Sequence, residues 1–394
     1  MKPAPRRILP VIVLSQLAGT SLWFAGNAVL PDLQAQLGLP QRALGDMTSA
    51  VQLGFIAGTL VFALLAISDR YSPRATFLVC ALLGAASNAA ILVAGGAIPL
   101  LLASRFATGF FLAGIYPVGM KIASGWFQRD LGKALGFLVG ALVLGTALPH
   151  LLRGLGQAFA WQAVMLSVSA VAIAGGFLMY ALVPDGPYLK PGAKLDPRAL
   201  FKIFRVDGFR ASSFGYFGHM WELYAFWAFV PPLAVAYATS SGLTGLNISL
   251  LAFAVIAAGA IGCVIGGYLS LRLGSARVAF AQLVASGLCC VLSPAVFLTM
   301  PPAIFIAFLL FWGVVVVGDS PQFSALNAAY APSDQVGSAL TIANCIGFAI
   351  SIVSIQLLNQ MAGAMPAHLL FLLLIPGPIF GLIALRPLLG APRR

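Results

Sequence analysis

The sequence predicts an all-α membrane protein, with twelve transmembrane helices in two pseudo-symmetric six-helix bundles. Three observations carry the prediction. Sixty per cent of the 394 residues are hydrophobic and 8% are charged, with a mean hydropathy of +0.99. A chain of that composition has lipid as its solvent. The apolar residues gather in runs of about 18–25, long enough for a bilayer helix and without the ten-residue alternation of a barrel strand. One long polar break near the middle leaves six runs on either side.

The runs lie at 8–30, 47–67, 76–94, 98–120, 133–152, 161–183, 212–237, 246–270, 277–298, 302–326, 338–358 and 367–388. The first follows a basic start, as a signal peptide would. It is too long for one, and it ends in Leu30-Pro31-Asp32 without a small-residue cleavage site, so it reads as a span. Lys and Arg then orient the chain. With the amino terminus inside, 19 bases fall in cytoplasmic segments and two, Arg42 and Arg153, fall outside; Arg105 stands within a span. Such a bias places both termini in the cytoplasm and the protein in the cell inner (plasma) membrane. The net charge of +12 comes from bases flanking spans, not from a basic stripe on a folded surface, which argues against nucleic acid as a partner.

The polar break at 184–210 holds four prolines and six bases. It divides the chain into an amino-terminal bundle at 1–184, a cytoplasmic linker at 185–211 and a carboxy-terminal bundle at 212–394, with a possible amphipathic surface helix at 198–210. The bundles repeat each other weakly. Pro31 matches Pro231, Asp69-Arg70 matches Leu271-Arg272, Pro117 matches Pro321 and Gly132 matches Gly337, offsets that drift from 200 to 205. Parallel repeats of this kind build transporters whose site lies between the halves. All five cysteines stand within apolar runs, where small buried hydrophobes are expected in place of disulfides.

Chemistry concentrates in the seventh run. Glu222 is the only glutamate in the chain. A charged carboxylate at the centre of a bilayer helix costs about 2.5–3.5 kcal/mol on insertion scales, so its retention points to function. His219 is three residues earlier and shares its helical face. The expectation is a polar cavity holding this pair; the alternative is a protonated Glu222 that binds a neighbouring helix. Tyr224 stands close by, and Trp23, Trp221 and Trp227 would be cavity aromatics. Asn27 follows Trp23 by one turn. Asp319 precedes Pro321 near the cytoplasmic end of span ten and is a second proton site, an inner-gate residue that pairs with Arg, or a structural partner of the freed backbone. Arg105 is the one base well inside a span; it either meets a functional partner or snorkels outward. Met361, Met365 and His368 have donor atoms suited to Cu(I), against the plainer reading of a loop and a helix start. There is no phosphate-binding Gly-x-x-x-x-Gly-Lys-Ser/Thr, no HExxH and no Cys-x-x-Cys, so neither an ATP-driven pump nor an enzyme is expected.

Ser68-Asp69-Arg70-Tyr71-Ser72-Pro73-Arg74, between spans two and three, resembles the cytoplasmic signature loop of the major facilitator superfamily. The stretch from Gly267 to Arg277 resembles its second copy, with Leu271 in place of the aspartate. Leu65 and Ser72 stand where the family has glycines. Arg105 followed by small residues, and Gly136 with Gly145 in span five, resemble two further motifs, although Leu148 replaces the glycine before Pro149. The resemblance covers nearly the whole chain. It implies the superfamily fold and secondary transport by rocking of two bundles. It further implies a cytoplasmic gate at Asp69, Arg70, Arg74, Arg272 and Arg277, and a role for Arg105 in proton coupling or anion contact. The expectation is a monomer in the lipid bilayer, without cofactor or bound metal, whose partners are a small-molecule substrate and protons. A small organic anion is the first choice of substrate. Efflux of amphiphilic compounds, copper uptake and a non-transporting receptor are the alternatives.

Overall fold

The computed structural model describes residues 5–127, 131–156, 160–189, 202–333 and 335–390, and every regular element among them is helical. Among the described residues, eleven helices are long and apolar enough to cross a membrane, and the shorter apolar helix Ile8–Thr20 begins a twelfth span. The chain divides into two compact units, Met1–Leu195 and Asp196–Arg394. The linker segment 190–201 lies outside the described residues, as do Lys2, Arg129, Arg393 and Arg394 and part of the expected surface helix.

In the first unit, span one is Ile8–Thr20 continued by Ala25–Ala28 and Leu30–Leu37. Span two is Ala43–Leu64 and span three Pro73–Ala89, which ends in a 3₁₀ turn. Span four is Ile98–Leu112 with Tyr116–Trp126, span five Leu131–Leu155 and span six Trp161–Leu182. In the second unit, span seven is Asp207–Ser241, span eight Ile248–Leu273 and span nine Ser275–Thr299. Span ten is Pro302–Gly318 with Ser320–Tyr330, span eleven Val336–Met361, and span twelve the 3₁₀ segment Ala367–Leu374 with Pro376–Leu389.

The apolar runs mark the lipid-soaked part of each helix and not its ends, so several helices outrun them. Span seven begins five residues before its run, with Asp207 in the first turn ion-paired to Arg210 at 2.7 Å, and stops at Gly242 in the left-handed region (φ +67°). The expectation of an unbroken first span is corrected. The helix stops at Thr20, where the Thr20 and Ser21 hydroxyls turn back to the carbonyls of Gln16 (2.8 Å) and Ala18 (2.6 Å) and compete with the backbone ladder. Spans four and ten break just before Pro117 and Pro321, whose rings lack an N–H and crowd the preceding turn.

The repeat is legible in the packing of each unit taken by itself. A Cβ placed on Gly109 would lie 2.0 Å from the Val51 carbonyl oxygen, and one on Gly58 2.3 Å from that of Phe110. In the second unit, Gly313 meets the Val255 oxygen at 2.0 Å and Gly262 the Val314 oxygen at 1.9 Å. All four correspondences have one offset, 204, as from Val51 to Val255. Spans one and seven are offset by 200. Gly175 packs on Ser15 and Ala18, and Gly381 packs on Gly215 and Gly218. Spans three and nine are offset by 202, since Gly114 lies against Cys80 as Gly318 lies against Gln282. Backbone-to-backbone contact of this closeness is how membrane helices gain van der Waals attraction without a hydrophobic drive between them.

These contacts give the first prediction. Gly109→Ala and Gly313→Ala should each destabilise the protein by about 1–3 kcal/mol, the range for overpacking, and lower the thermal unfolding midpoint in detergent. Gly136→Ala, with nothing within 4 Å of its Cβ, should leave the midpoint in place. Equal midpoints for all three would remove the close-contact account.

Candidate functional site

His219 and Glu222 lie one turn apart on span seven, yet they reach different helices. His219 Nδ1 is 2.8 Å from Asp319 Oδ1 at the break of span ten, with both side chains buried. The two atoms are at ion-pair distance but are not aligned as a hydrogen bond. The other ring nitrogen, Nε2, is hydrogen-bonded with Ser320 Oγ at 2.8 Å. The rings of Phe323 and Tyr216 pack at 5.8 and 6.1 Å. Pro321 sets this geometry, because it interrupts span ten at Asp319, between Pro302–Gly318 and the helix that Ser320 begins. The Cys263 thiol of span eight donates to the Val317 carbonyl (3.5 Å), the one Pro321 frees.

Glu222 turns to span nine. Trp312 Nε1 donates to Ser286 Oγ at 3.1 Å, and Ser286 Oγ donates to Glu222 Oε2 at 2.8 Å. An indole can only donate, so it fixes the serine as acceptor toward Trp312 and donor toward Glu222. The Cys290 thiol adds a longer contact of 3.8 Å to the same oxygen. Oε1 has no hydrogen-bond partner among the described residues. Glu222 is buried, and the side chains that contact its Oε2, Ser286 and Cys290, belong to the second unit. Trp23 and Trp227 are buried, Tyr224 packs edge-on to Trp227 at 5.4 Å, and Trp221 donates to the Leu373 carbonyl at 3.0 Å.

The first unit buries a cation. Arg105 does not snorkel; it is fully enclosed. Its Nη2 donates to the carbonyls of Leu22 (3.0 Å) and Trp23 (2.7 Å), and Nη1 donates to Asn88 Oδ1 (2.8 Å). Asn88 in turn donates to Ser169 Oγ (3.1 Å) and the Met165 carbonyl (3.3 Å). The Leu22 and Trp23 carbonyls are those released where span one breaks, so Arg105 stabilises the break. Asn27, just past it, donates to Thr48 Oγ1 at 2.8 Å, and Trp23 packs on Phe55 at 4.9 Å.

The signature loop engages its own unit. Asp69 pairs with Lys121 of span four, which also donates to the Ser68 carbonyl at 2.8 Å. Arg74 reaches the Tyr180 carbonyl (3.3 Å) and lies over its ring. Ser72 donates to Asp185, and Trp126 Nε1 donates to the Pro184 carbonyl at 2.9 Å. Arg70, Arg272 and Arg277 are exposed. Sequence reasoning missed Lys121, Ser286 and the bidentate pair of Asp32 with Arg153, two contacts of 2.8 Å at the other end of the unit. Only Asn88 left a signal, as a lone asparagine deep in an apolar run. His368 packs on Phe297 at 5.8 Å. Among the described residues, no three His, Cys, Asp or Glu side chains gather as a metal site.

Two helical repeats with buried charge at their broken helices define a class of membrane protein, and comparison with known proteins identifies it. A family model of the Major Facilitator Superfamily matches residues 12–355, and the chain belongs to that superfamily. It is similar to a chloramphenicol resistance protein of Streptomyces lividans, 28% identical over 187 residues that make up 47% of this chain and 46% of that protein. It is also similar to AraJ of Escherichia coli (strain K12), 26% identical over 275 residues, 66% of this chain and 65% of that one. The chain therefore spans less than two thirds of the length of either relative. Among solved structures it shares its fold with the human organic anion transporter MFSD10 (TETRAN), with a TM-score of 0.71, 16% identity and coverage of 98% of this chain and 100% of that one. The proton:xylose symporter XylE gives a TM-score of 0.74 at 13% identity, covering 96% and 94% of the two chains.

Arg105 supplies the second prediction. Arg105→Met would leave three buried acceptors unsatisfied, at about 1–3 kcal/mol each, and should sharply lower the yield and unfolding midpoint of the folded protein. Arg105→Lys keeps the charge but lacks the planar fork, so it should fall between. A wild-type midpoint for the Met variant would make the contacts incidental.

Proposed function

We propose that this chain is a secondary transporter that moves a small organic solute across the inner (plasma) membrane by alternating access, coupled to protons, with both termini cytoplasmic. The observation that carries the reading is the pair of carboxylates, Glu222 and Asp319, enclosed in the second unit with no Lys or Arg in ion-pair contact with either among the described residues. Acids placed so at membrane depth mark ion and proton pathways. Each bears a distinct neighbour, Ser286 for one and His219 for the other, that responds to a change in its charge.

Two substrate classes have support. Export of an amphiphilic, drug-like compound has more of it. Arg105 commits Nη1 and Nη2 to the chain's own carbonyls, which leaves little of it for an anion, and a chloramphenicol resistance protein is among the sequence relatives. A small organic anion stays the second reading, because Arg105 has no carboxylate partner and its buried Nε–H has no acceptor among the described residues.

In proteoliposomes, an imposed pH gradient should drive accumulation of labelled chloramphenicol more than of labelled benzoate, and a protonophore should collapse it. Glu222→Gln should lower gradient-driven accumulation at least tenfold at matched protein density. Gradient-independent fluxes for both probes would end the proton-coupled reading. Orientation is tested separately, with Cys345 replaced by Ala. In intact cells a membrane-impermeant maleimide should label Arg42→Cys, and Arg74→Cys only after permeabilisation. The reverse pattern would turn the topology over.

A further inference from the structure

The internal repeat supplies a control that no single bundle could. With spans one and seven offset by 200 and spans four and ten by 204, His219 corresponds to Gly19 and Asp319 to Ile115. The correspondence holds in space as well as in sequence. A Cβ on Gly19 would lie 2.6 Å from Ile115 Cγ2, so these two touch in the first unit as His219 and Asp319 touch in the second. The flanking contact repeats too: Gln16 lies on Gly119, and Tyr216 lies near Phe323. One turn on, Leu22 packs on Gly84 where Glu222 binds Ser286. The fold therefore closes this helix crossing with a glycine and an isoleucine in one copy. In the other it places an imidazole and a carboxylate there, wholly buried. Packing does not require the ionisable pair.

We infer that the His219–Asp319 pair is the site that holds the transported proton, and that it holds it as a neutral unit while enclosed. The inference rests on the proton-coupled reading above and assigns its site. One proton on the pair gives either an O–H on Asp319 beside a neutral imidazole or an N–H on both nitrogens of His219 beside a carboxylate. The two forms differ only in the position of that proton, and both have zero net charge. Ser320 Oγ at Nε2 serves either form, since a hydroxyl accepts from a ring N–H or donates to a bare ring nitrogen. Removal of the proton leaves a lone buried anion with a neutral imidazole, which the low-dielectric interior disfavours. The enclosed pair therefore keeps its proton, and water must reach it before the proton leaves. The titratable groups facing it are Glu222 and Tyr216 on span seven and Cys263 on span eight. Cys289 and Cys290 on span nine face Glu222.

The test borrows the protein's own alternative. The variant His219→Gly/Asp319→Ile copies the first unit, and Asp319→Asn keeps the shape of the carboxylate. Thermal unfolding of purified protein in detergent is followed between pH 7 and 9 for wild type and both variants. In that window an unfolded chain has its Asp ionised and its His neutral, so a proton retained by the pair is released on unfolding. Stability then falls as pH rises, by a tenfold change in the folding equilibrium per pH unit for one proton. Wild type should show this slope in excess of both variants. If the double variant does not fold, Asp319→Asn gives the same comparison. Identical slopes for wild type and Asp319→Asn would overturn the inference. In proteoliposomes, Asp319→Asn should lose at least nine tenths of gradient-driven chloramphenicol accumulation and keep chloramphenicol exchange. Unchanged gradient-driven accumulation would also overturn it. Absence of chloramphenicol exchange in wild type counts against the substrate reading alone, because the unfolding slopes still decide the proton site.

Discussion

The demand that every polar group buried at membrane depth find its partner inside the protein shapes both units. Arg105 shows it most directly. A guanidinium cannot be neutralised by losing a proton at ordinary pH, so it needs acceptors. The chain supplies them by breaking span one, which frees the Leu22 and Trp23 carbonyls, and by placing Asn88 on span three. The break and the arginine each satisfy the other. Neither has a stable form alone: an intact helix would leave the cation bare, and a broken one without Arg105 would leave carbonyls in hydrocarbon.

The second unit meets the same demand with the opposite charge. Its span seven is a continuous helix across the corresponding stretch, and its span ten breaks at Asp319 as span four of the first unit breaks before Pro117. Leu309 stands at the position of Arg105, and Glu222 at that of Leu22. The duplicated scaffold has thus been charged differently in its two copies, a buried guanidinium in one and buried carboxylates with an imidazole in the other. A fixed cation suits a structural joint, since its charge never changes. A carboxylate beside an imidazole suits a step that must be reversible.

The charged ends of the first unit act at a shorter range. Asp69 with Lys121 and Asp32 with Arg153 tie helix ends together at opposite ends of the bundle. Both pairs are partly exposed. Each is worth about 0–1 kcal/mol as a surface ion pair, so their value lies in fixing which ends meet. The second unit has Leu271 in place of Asp69 and Leu358 near the position of Arg153, and among its described residues neither clasp is repeated.

The sequence by itself determined the span count, the fold class and the repeat, because each follows from local quantities: hydrophobic length, the distribution of bases, and prolines recurring at a near-constant offset. It also singled out Glu222, His219, Arg105 and Asp319, since an ionisable residue in an apolar run is conspicuous without any structure. Only the tertiary structure decided what these groups touch. Helical spacing puts His219 and Glu222 on one face and suggests a pair; the packing of spans nine and ten separates them by giving each a different neighbour. Ser286, Lys121 and Asn88 gave little or no warning, because a lone serine, lysine or asparagine acquires its role from a partner 17 to 64 residues away. Hydropathy is a property of a segment, whereas the satisfaction of a buried polar atom is a property of two segments.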